Sequence, residues 1–214
     1  MLFRNRVAGL ALVAGLAIAA AALPPAAAGA EDDETVRLTP ADPQPDEGAL
    51  KPGLAVWYKG ADVKTLLEAE SWLENDPSPG EPIAGFTYED SNGTALTSSS
   101  KVFLVAGIRG FMKFPEAGSY YLEVASNDGF NLNLGGQEEI LRIDGRQACG
   151  EKVDYITVEV PQAGWYKLDA VWFQRHNTSC LLLYWEKPGD PPLDNTTPPI
   201  PAEYYAHLPG DEEY

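Results

Sequence analysis

The sequence predicts an all-β fold, an antiparallel β-sandwich or a distorted β-barrel with one short helix. Through most of the chain apolar residues alternate with polar ones, the period of a strand with one buried face. Gly, Pro, Asn and Asp separate these runs at short intervals, as in proteins built from many short strands. Only one segment places its apolar residues at helical spacing.

That helical segment spans residues 62–73, where Val63, Leu66, Leu67 and Leu73 recur at helical spacing and Asp62 is placed to cap the first turn. Ten segments carry the strand pattern and are bounded by turn residues. The predicted strands are 54–58, 85–88, 102–114, 119–125, 131–134, 139–143, 155–160, 165–174, 181–185 and 203–207.

Two turns between predicted strands are near copies of each other. Residues 115–118 read Pro-Glu-Ala-Gly and residues 161–164 read Pro-Gln-Ala-Gly, and an aromatic-rich strand follows each. Proline presets one backbone dihedral and glycine supplies a positive φ. We therefore expect these turns to form equivalent hairpin corners.

The N-terminus has the pattern of a secretory signal. Arg4 and Arg6 precede an alanine-rich apolar stretch, and small residues at 28–30 form an A-x-A cleavage site. An uncleaved anchor is the alternative, but the prolines at 24–25 favour cleavage. We expect residues 1–30 to be removed and the protein to be exported, either to a periplasm or to the extracellular medium, with no membrane insertion after cleavage.

Composition divides the rest of the chain into three parts. Residues 31–52 are rich in Glu, Asp and Pro and are expected to form a flexible acidic leader. The predicted domain covers residues 53–207, long enough for one hydrophobic core. Residues 208–214 form an acidic tail that is expected to be frayed.

The charge of the protein excludes one class of partner. The formal net charge is -17, and removal of residues 1–30 would make it -19, because they contain two arginines and no acidic residue. A strong negative field repels phosphates, so nucleic acid is not expected as a partner. The same field keeps an exported protein soluble and attracts cations such as calcium.

The sequence contains two cysteines, Cys149 and Cys180. An oxidising compartment makes a disulfide between them the default, and their spacing fits neither a C-x-x-C redox pair nor a zinc site. The chain also lacks the G-x-S-x-G, H-E-x-x-H and phosphate-loop motifs. We therefore expect no enzymatic activity, with a small hydrolase built on paired carboxylates as a remote alternative.

Several segments, taken in order, resemble the protective-antigen-type domain, a β-sandwich module found in bacterial toxins, glycosidases and fungal flocculin-type adhesins. The similarity covers nearly all of the predicted domain. The segments are 54–58, 108–110 with 115–121, 126–132, 143–145, 163–166, 181–185 and 200–201.

The resemblance implies a candidate binding site. In carbohydrate-binding members two consecutive Asp residues, at the positions of Asn127 and Asp128 here, chelate calcium, and a later loop contributes an Asn that would be Asn177. Calcium prefers several hard oxygen ligands, which these side chains offer. Asn127 stands where the first Asp is expected, which removes one charge and weakens the expected site. The loop of Arg175, His176 and Asn177 would complete a glycan site with the first turn.

Other functions for the same residues stay open at this point. Asn127, Asp128 and Gly129 also suit a tight hairpin with no ligand. The leading hypothesis is a monomeric, non-catalytic glycan-binding module that uses calcium as its cofactor. The alternative is an interaction or assembly domain that binds a cell-envelope protein through exposed aromatic residues.

Overall fold

The computed structural model describes residues 35–89 and 93–213. The predicted signal peptide, residues 1–30, lies outside the described residues. Within the described ranges, no helix combines the length and the apolar character needed to cross a bilayer.

Thirteen strands and one α-helix make up the described fold. The helix, α1, spans Leu66–Leu73. The strands are β1 (Thr35–Arg37), β2 (Lys51–Pro52), β3 (Ala55–Gly60), β4 (Ser78–Pro79), β5 (Thr87–Glu89), β6 (Leu104–Phe114), β7 (Gly118–Asn127), β8 (Gly129–Leu134), β9 (Gln137–Ile143), β10 (Val153–Val160), β11 (Gly164–Gln174), β12 (Cys180–Glu186) and β13 (Tyr205–His207).

The strands form two sheets that face each other. One has five strands in the order β1-β10-β7-β12-β5, and the other has the order β2-β13-β6-β11-β8-β9, with β3 and β4 joined to it through β6. All pairs are antiparallel except β1 with β10. One large apolar cluster lies between the sheets, and Phe114, Tyr120 and Trp172 are fully buried in it. The predicted fold class is confirmed as the sandwich.

The two near-copy turns are equivalent, but they are not hairpins. Gly118 and Gly164 have φ of +145° and +142°, as the pattern predicted. Tyr120 donates its hydroxyl proton to the carbonyl of Glu116 and Tyr166 to that of Gln162, at 3.0 and 2.7 Å. Each turn carries the chain from one sheet to the other, because β6 and β11 lie in one sheet and β7 and β10 in the other. The prediction of hairpin corners is therefore wrong.

The helix begins at Leu66, four residues after the predicted start at 62, and the prediction of Asp62 as its cap is wrong. Thr65 caps it, accepting a 3.3 Å hydrogen bond from the backbone N–H of Glu68. Its buried residues Leu66 and Leu73 pack with Val105 and Phe173 of β6 and β11 in a second apolar cluster. The helix thus covers part of the outer face of the larger sheet.

The prediction of a flexible leader over residues 31–52 is wrong for 35–52. β1 pairs with β10 in register, with Val36 opposite Val158. Leu38 is 1% exposed and belongs to the main core. Pairing with an existing strand edge supplies the backbone hydrogen bonds, so a segment with few apolar residues is ordered by the sheet it joins.

The acidic tail is also attached. Glu212 accepts hydrogen bonds from Lys51 Nζ at 2.6 Å and from His207 Nε2 at 3.1 Å. A one-turn 3-10 helix, Pro209–Glu212, places that carboxylate. The tail therefore contacts the sandwich through residue 212, and the packed part of the chain extends beyond both limits of the predicted 53–207 domain.

Candidate functional site

The turn that holds the predicted site joins the two sheets. β7 ends at Asn127 in the five-stranded sheet, and β8 starts at Gly129 in the other. A hairpin explanation for this turn is therefore wrong, since β7 and β8 do not pair with each other. The peptide bond between Asn127 and Asp128 is cis.

Asp128 holds three segments together at this end of the sandwich. Its Oδ1 accepts the backbone N–H of Gln147 at 3.2 Å, and its Oδ2 accepts that of Arg175 at 2.7 Å. Its own N–H donates to the carbonyl of Phe173 at 2.9 Å. Burial raises the pKa of Asp128 above its ordinary value, and the two backbone donors oppose that rise.

Two amide oxygens near this carboxylate have no hydrogen-bond partner. They are Oδ1 of Asn127, whose side chain is 5% exposed, and Oε1 of Gln147. The Gln147 orientation is set because its Nε2 donates to the carbonyls of Ser126 at 2.8 Å and Lys152 at 3.4 Å. A buried acceptor without a partner costs free energy, so these oxygens are suited to a ligand or an ion.

These groups lie at a pocket of about 430 Å³, named here the end pocket. Its walls come from the β7–β8 turn, the loop after β9 and the loop after β11. Four of the five predicted site residues come together in it or next to it, and Asn177 adopts a left-handed backbone with φ of +66°. The lining residues are Asn127, Asp128, Arg146, Gln147, Ala148, Glu151, His176, Asn177 and Thr178.

Arg175 is the predicted site residue that does not line the end pocket. Its guanidinium forms a two-point ion pair with Asp62, at 2.5 Å from Nε and 3.3 Å from Nη2. Arg175 supports the end pocket through its backbone N–H, which donates a hydrogen bond to Asp128. His176 lines the pocket and packs edge-on against Phe103, with ring centroids 4.6 Å apart.

The predicted disulfide between Cys149 and Cys180 is present. Cys180 lies directly opposite Asn127 in the pairing of β12 with β7. The bridge thus fastens the loop of residues 144–152 beside the β7–β8 turn. Arg146, Gln147 and Glu151 reach the pocket through this loop, and no sequence motif pointed to them; the nearby cysteine was the only available signal.

The lining contains hard oxygen atoms of the kind that calcium prefers, with little negative charge among them. Within 35–89 and 93–213, no three His, Cys, Asp or Glu side chains are grouped to hold a metal ion. The expected set instead combines one carboxylate, Asp128, with the amide oxygens of Asn127 and Asn177, and the unpartnered Oδ1 of Asn127 is the observation in its favour. Gln147 Oε1 is a further available oxygen.

The family of the chain follows from a sequence profile. The profile of the PA14 domain matches residues 50–192, well over half of the chain. The chain belongs to the PA14 domain family. The resemblance found in the sequence is confirmed at that level. No curated protein matches the sequence significantly.

Solved structures share this PA14 fold. The PA14 domain of the antifreeze protein MpAFP is 17% identical, with a TM-score of 0.57, 83% of this chain and 96% of that chain covered. The PA14 sugar-binding domain of an RTX adhesin is 14% identical, with a TM-score of 0.53 and coverage of 73% and 98%. The Epithelial Adhesin 9 A domain from Candida glabrata, in complex with Galβ1-3GlcNAc, is 13% identical, with a TM-score of 0.57 and coverage of 82% and 97%. At these identities the similarity establishes the fold alone.

Proposed function

We propose that this PA14 domain is an exported, non-catalytic module that binds carbohydrate in the end pocket. The similar RTX adhesin domain is described as sugar-binding, and the Epithelial Adhesin 9 domain is in complex with a disaccharide. The proposal rests on one observation in this chain: a buried amide oxygen of Asn127 has no partner beside the anchored carboxylate of Asp128, at the pocket wall.

The end pocket has the size and chemistry for part of a glycan. About 430 Å³ lies within the range of roughly 300–1,000 Å³ typical of small-ligand sites. Acceptors come from Asn127, Asp128 and Glu151, and Arg146 and Asn177 add donors. Sugar hydroxyls both donate and accept, so a wall that mixes the two suits them.

Calcium is proposed as an assisting ion. Asn127, Asp128 and Asn177 would hold it, with Gln147 as a further oxygen ligand. A bound calcium ion would supply open coordination positions that sugar hydroxyls can fill. With only one carboxylate among these ligands, affinity for calcium should be low, because ligand charge tunes such sites.

Replacement of Asn127 by Asp tests the ion directly. In chelator, Asn127→Asp should lower the thermal midpoint below wild type, because a second carboxylate is buried beside Asp128. In millimolar calcium the loss should reverse, and the calcium-induced rise should exceed that of wild type, since an ion that binds only the native state stabilises it. Differential scanning calorimetry in calcium and in EGTA measures both.

Two further variants make this experiment specific. Asn195→Asp adds the same charge in an exposed loop and should leave the calcium response unchanged. Asn177→Gly keeps the left-handed backbone but removes one ligand, so it should reduce the response. If Asn127→Asp and Asn195→Asp respond alike to calcium, the ion is not held at this turn. A glycan array probed with and without EGTA then tests sugar binding, and no binding in either condition contradicts the proposed function.

A surface on the five-stranded sheet favours the second candidate function, binding of a cell-envelope protein. Tyr155 is 56% exposed and stacks on Tyr121, with ring centroids 5.6 Å apart. Val153, on the same face of β10, is 43% exposed. A group of adjacent exposed aromatic and apolar side chains marks an interaction surface more often than a single exposed one does. Tyr155→Ala should then abolish capture of that partner without changing glycan binding.

A further inference from the structure

We propose that this PA14 domain has a second, calcium-independent binding site for a neutral, hydroxyl-rich ligand of about one sugar ring. It lies on the outer face of the larger sheet beside α1, away from the end pocket. We name it the outer notch, with a volume of about 240 Å³. The residues that carry the argument are Trp57, Gly107, Val171, Asn131, Asp169 and Glu70.

Strand register builds the floor of the outer notch. Trp57 lies opposite Gly107, Gly107 opposite Val171, and Val171 opposite Asn131, so the four form one row across β3, β6, β11 and β8. Their neighbours Val56, Ile108, Ala170 and Leu132 belong to the core between the sheets. The row must therefore point outward. Because glycine has no side chain, Gly107 leaves a gap between the Trp57 and Val171 side chains.

The next row along the same strands gives the notch a polar rim. Arg109 of β6 lies opposite Asp169 of β11, and Asp169 lies opposite Asn133 of β8. Arg109 Nε donates to Asp169 Oδ1 at 2.9 Å, and its guanidinium lies 5.1 Å from the centre of the Trp57 ring. Trp57 consequently forms a wall of the notch and not an open stacking platform.

An unpartnered atom of Asn131 indicates that a ligand belongs here. Asn131 is 6% exposed, and its Oδ1 has no hydrogen-bond partner. Its Nδ2 donates to Glu70 Oε1 of α1 at 3.4 Å, which sets the direction of the amide. A purely structural role would favour an apolar residue at this row position, since a buried acceptor without a partner costs free energy.

The lining decides the chemistry of the ligand. Glu70, Asp169 and Asn131 offer acceptors, so the ligand should supply donors. Arg109 forms an ion pair with Asp169, so Glu70 is the carboxylate of the lining that remains for a donor, and the hydroxyl groups of a neutral ligand supply such donors. Partly exposed Val171, backed by the buried side chains of Trp57 and Leu73, gives an apolar wall for the C–H groups of a sugar ring or a cyclic polyol. The volume is below the range of roughly 300–1,000 Å³ of larger ligand sites, so one ring fills it.

The proposal is tested by NMR titration of the full chain in EGTA. The probes are methyl α-D-mannopyranoside, methyl β-D-galactopyranoside, methyl β-D-glucopyranoside and myo-inositol, titrated into the tens of millimolar. With at least one probe, the indole N–H of Trp57 and the side-chain amide of Asn131 should shift in a saturable way. Absence of saturable shifts at both groups with all four probes overturns the proposal.

Asn131→Leu separates a ligand site from a structural role. The variant removes an unpaired acceptor at nearly constant volume, so the thermal midpoint should not fall, while affinity for the probe should fall at least about tenfold. Glu70→Ala, at a helix position that tolerates alanine, serves as the second variant and should weaken binding without unfolding the domain. Unchanged affinity in both variants overturns the proposal.

The end pocket supplies the control. Asn177→Gly should leave the Trp57 shifts intact, because this residue lies in the loop after β11 and not on the outer face of the sheet. Loss of calcium-dependent glycan binding in Asn177→Gly with retained shifts at Trp57 would separate the two sites. Failure of either site therefore leaves the other testable.

Discussion

Removal of the disulfide should destabilise the domain by an amount that can be estimated from the chain. The double variant Cys149→Ala/Cys180→Ala opens a loop between residues 31 positions apart. In the chain-entropy model, closing a loop of that length stabilises the fold by about 3.7 kcal/mol at room temperature. For a domain of this size, 1 kcal/mol shifts the thermal midpoint by about 2–4 °C, so we expect a decrease of about 7–15 °C.

The same variant should weaken ligand binding in the end pocket. The bridge fastens the 144–152 loop, whose Gln147 contacts Asp128 and Ser126. Without the bridge these contacts must order the loop alone, and the ordering entropy reduces the affinity.

The assay is thermal unfolding of wild type and the double variant, each with and without reductant. Reductant should lower the midpoint of wild type only, which controls for direct effects of the alanines. A decrease below about 3 °C would refute the reasoning, because it would mean that the loop is already restricted in the unfolded chain or that the bridge adds strain to the fold.

Three more variants test other parts of the structure. Hydrogen bonds from Lys51 and His207 hold the pKa of Glu212 below its ordinary value of 4.5, so its stabilising effect is complete above that value and is lost as pH falls through the lowered pKa. Glu212→Gln should therefore lower the thermal midpoint at neutral pH, and the difference from wild type should shrink as the solution is acidified below 4.5. Leu38→Ala should cost about 2–5 kcal/mol in urea unfolding if the N-terminal segment is part of the core, and a cost under about 0.5 kcal/mol would contradict its packing. Thr65→Ala should cost about 1 kcal/mol through loss of the helix cap, and an unchanged urea midpoint would assign no role to that cap.

The topology explains why the end pocket forms where it does. The β7–β8 turn and the loop after β11 both lie where strands of the two sheets end, and Asp128 binds backbone groups from both neighbouring segments. A rigid sandwich thereby presents several loops at one end, and binding sites are commonly built from loops that a rigid scaffold positions. The outer notch instead uses side chains on strands, held by register alone.

Sequence patterns located the strands well but could not assign them to sheets. A period of two shows that a strand has a buried face, yet it contains no information on which strand is its neighbour. For that reason the 115–118 and 161–164 turns were expected to be hairpins, and a hairpin stayed an alternative for the turn at Asn127, whereas each of the three turns crosses between sheets. The sequence also failed to predict that residues 35–52 pack against the domain, for a related reason. β1 is stabilised by backbone pairing with β10, and composition does not reveal such pairing.

The sequence by itself determined the all-β class, the short helix, the disulfide pair and the residues of the β7–β8 turn. These follow from local periodicity, turn chemistry and cysteine count, all properties of neighbouring residues in the chain. Only the tertiary structure decided that Arg175 turns to Asp62, that Gln147 and Glu151 join the end pocket, and that Trp57 and Asn131 share a row of the outer notch. These arrangements depend on contacts between residues far apart in sequence, and long-range packing sets them.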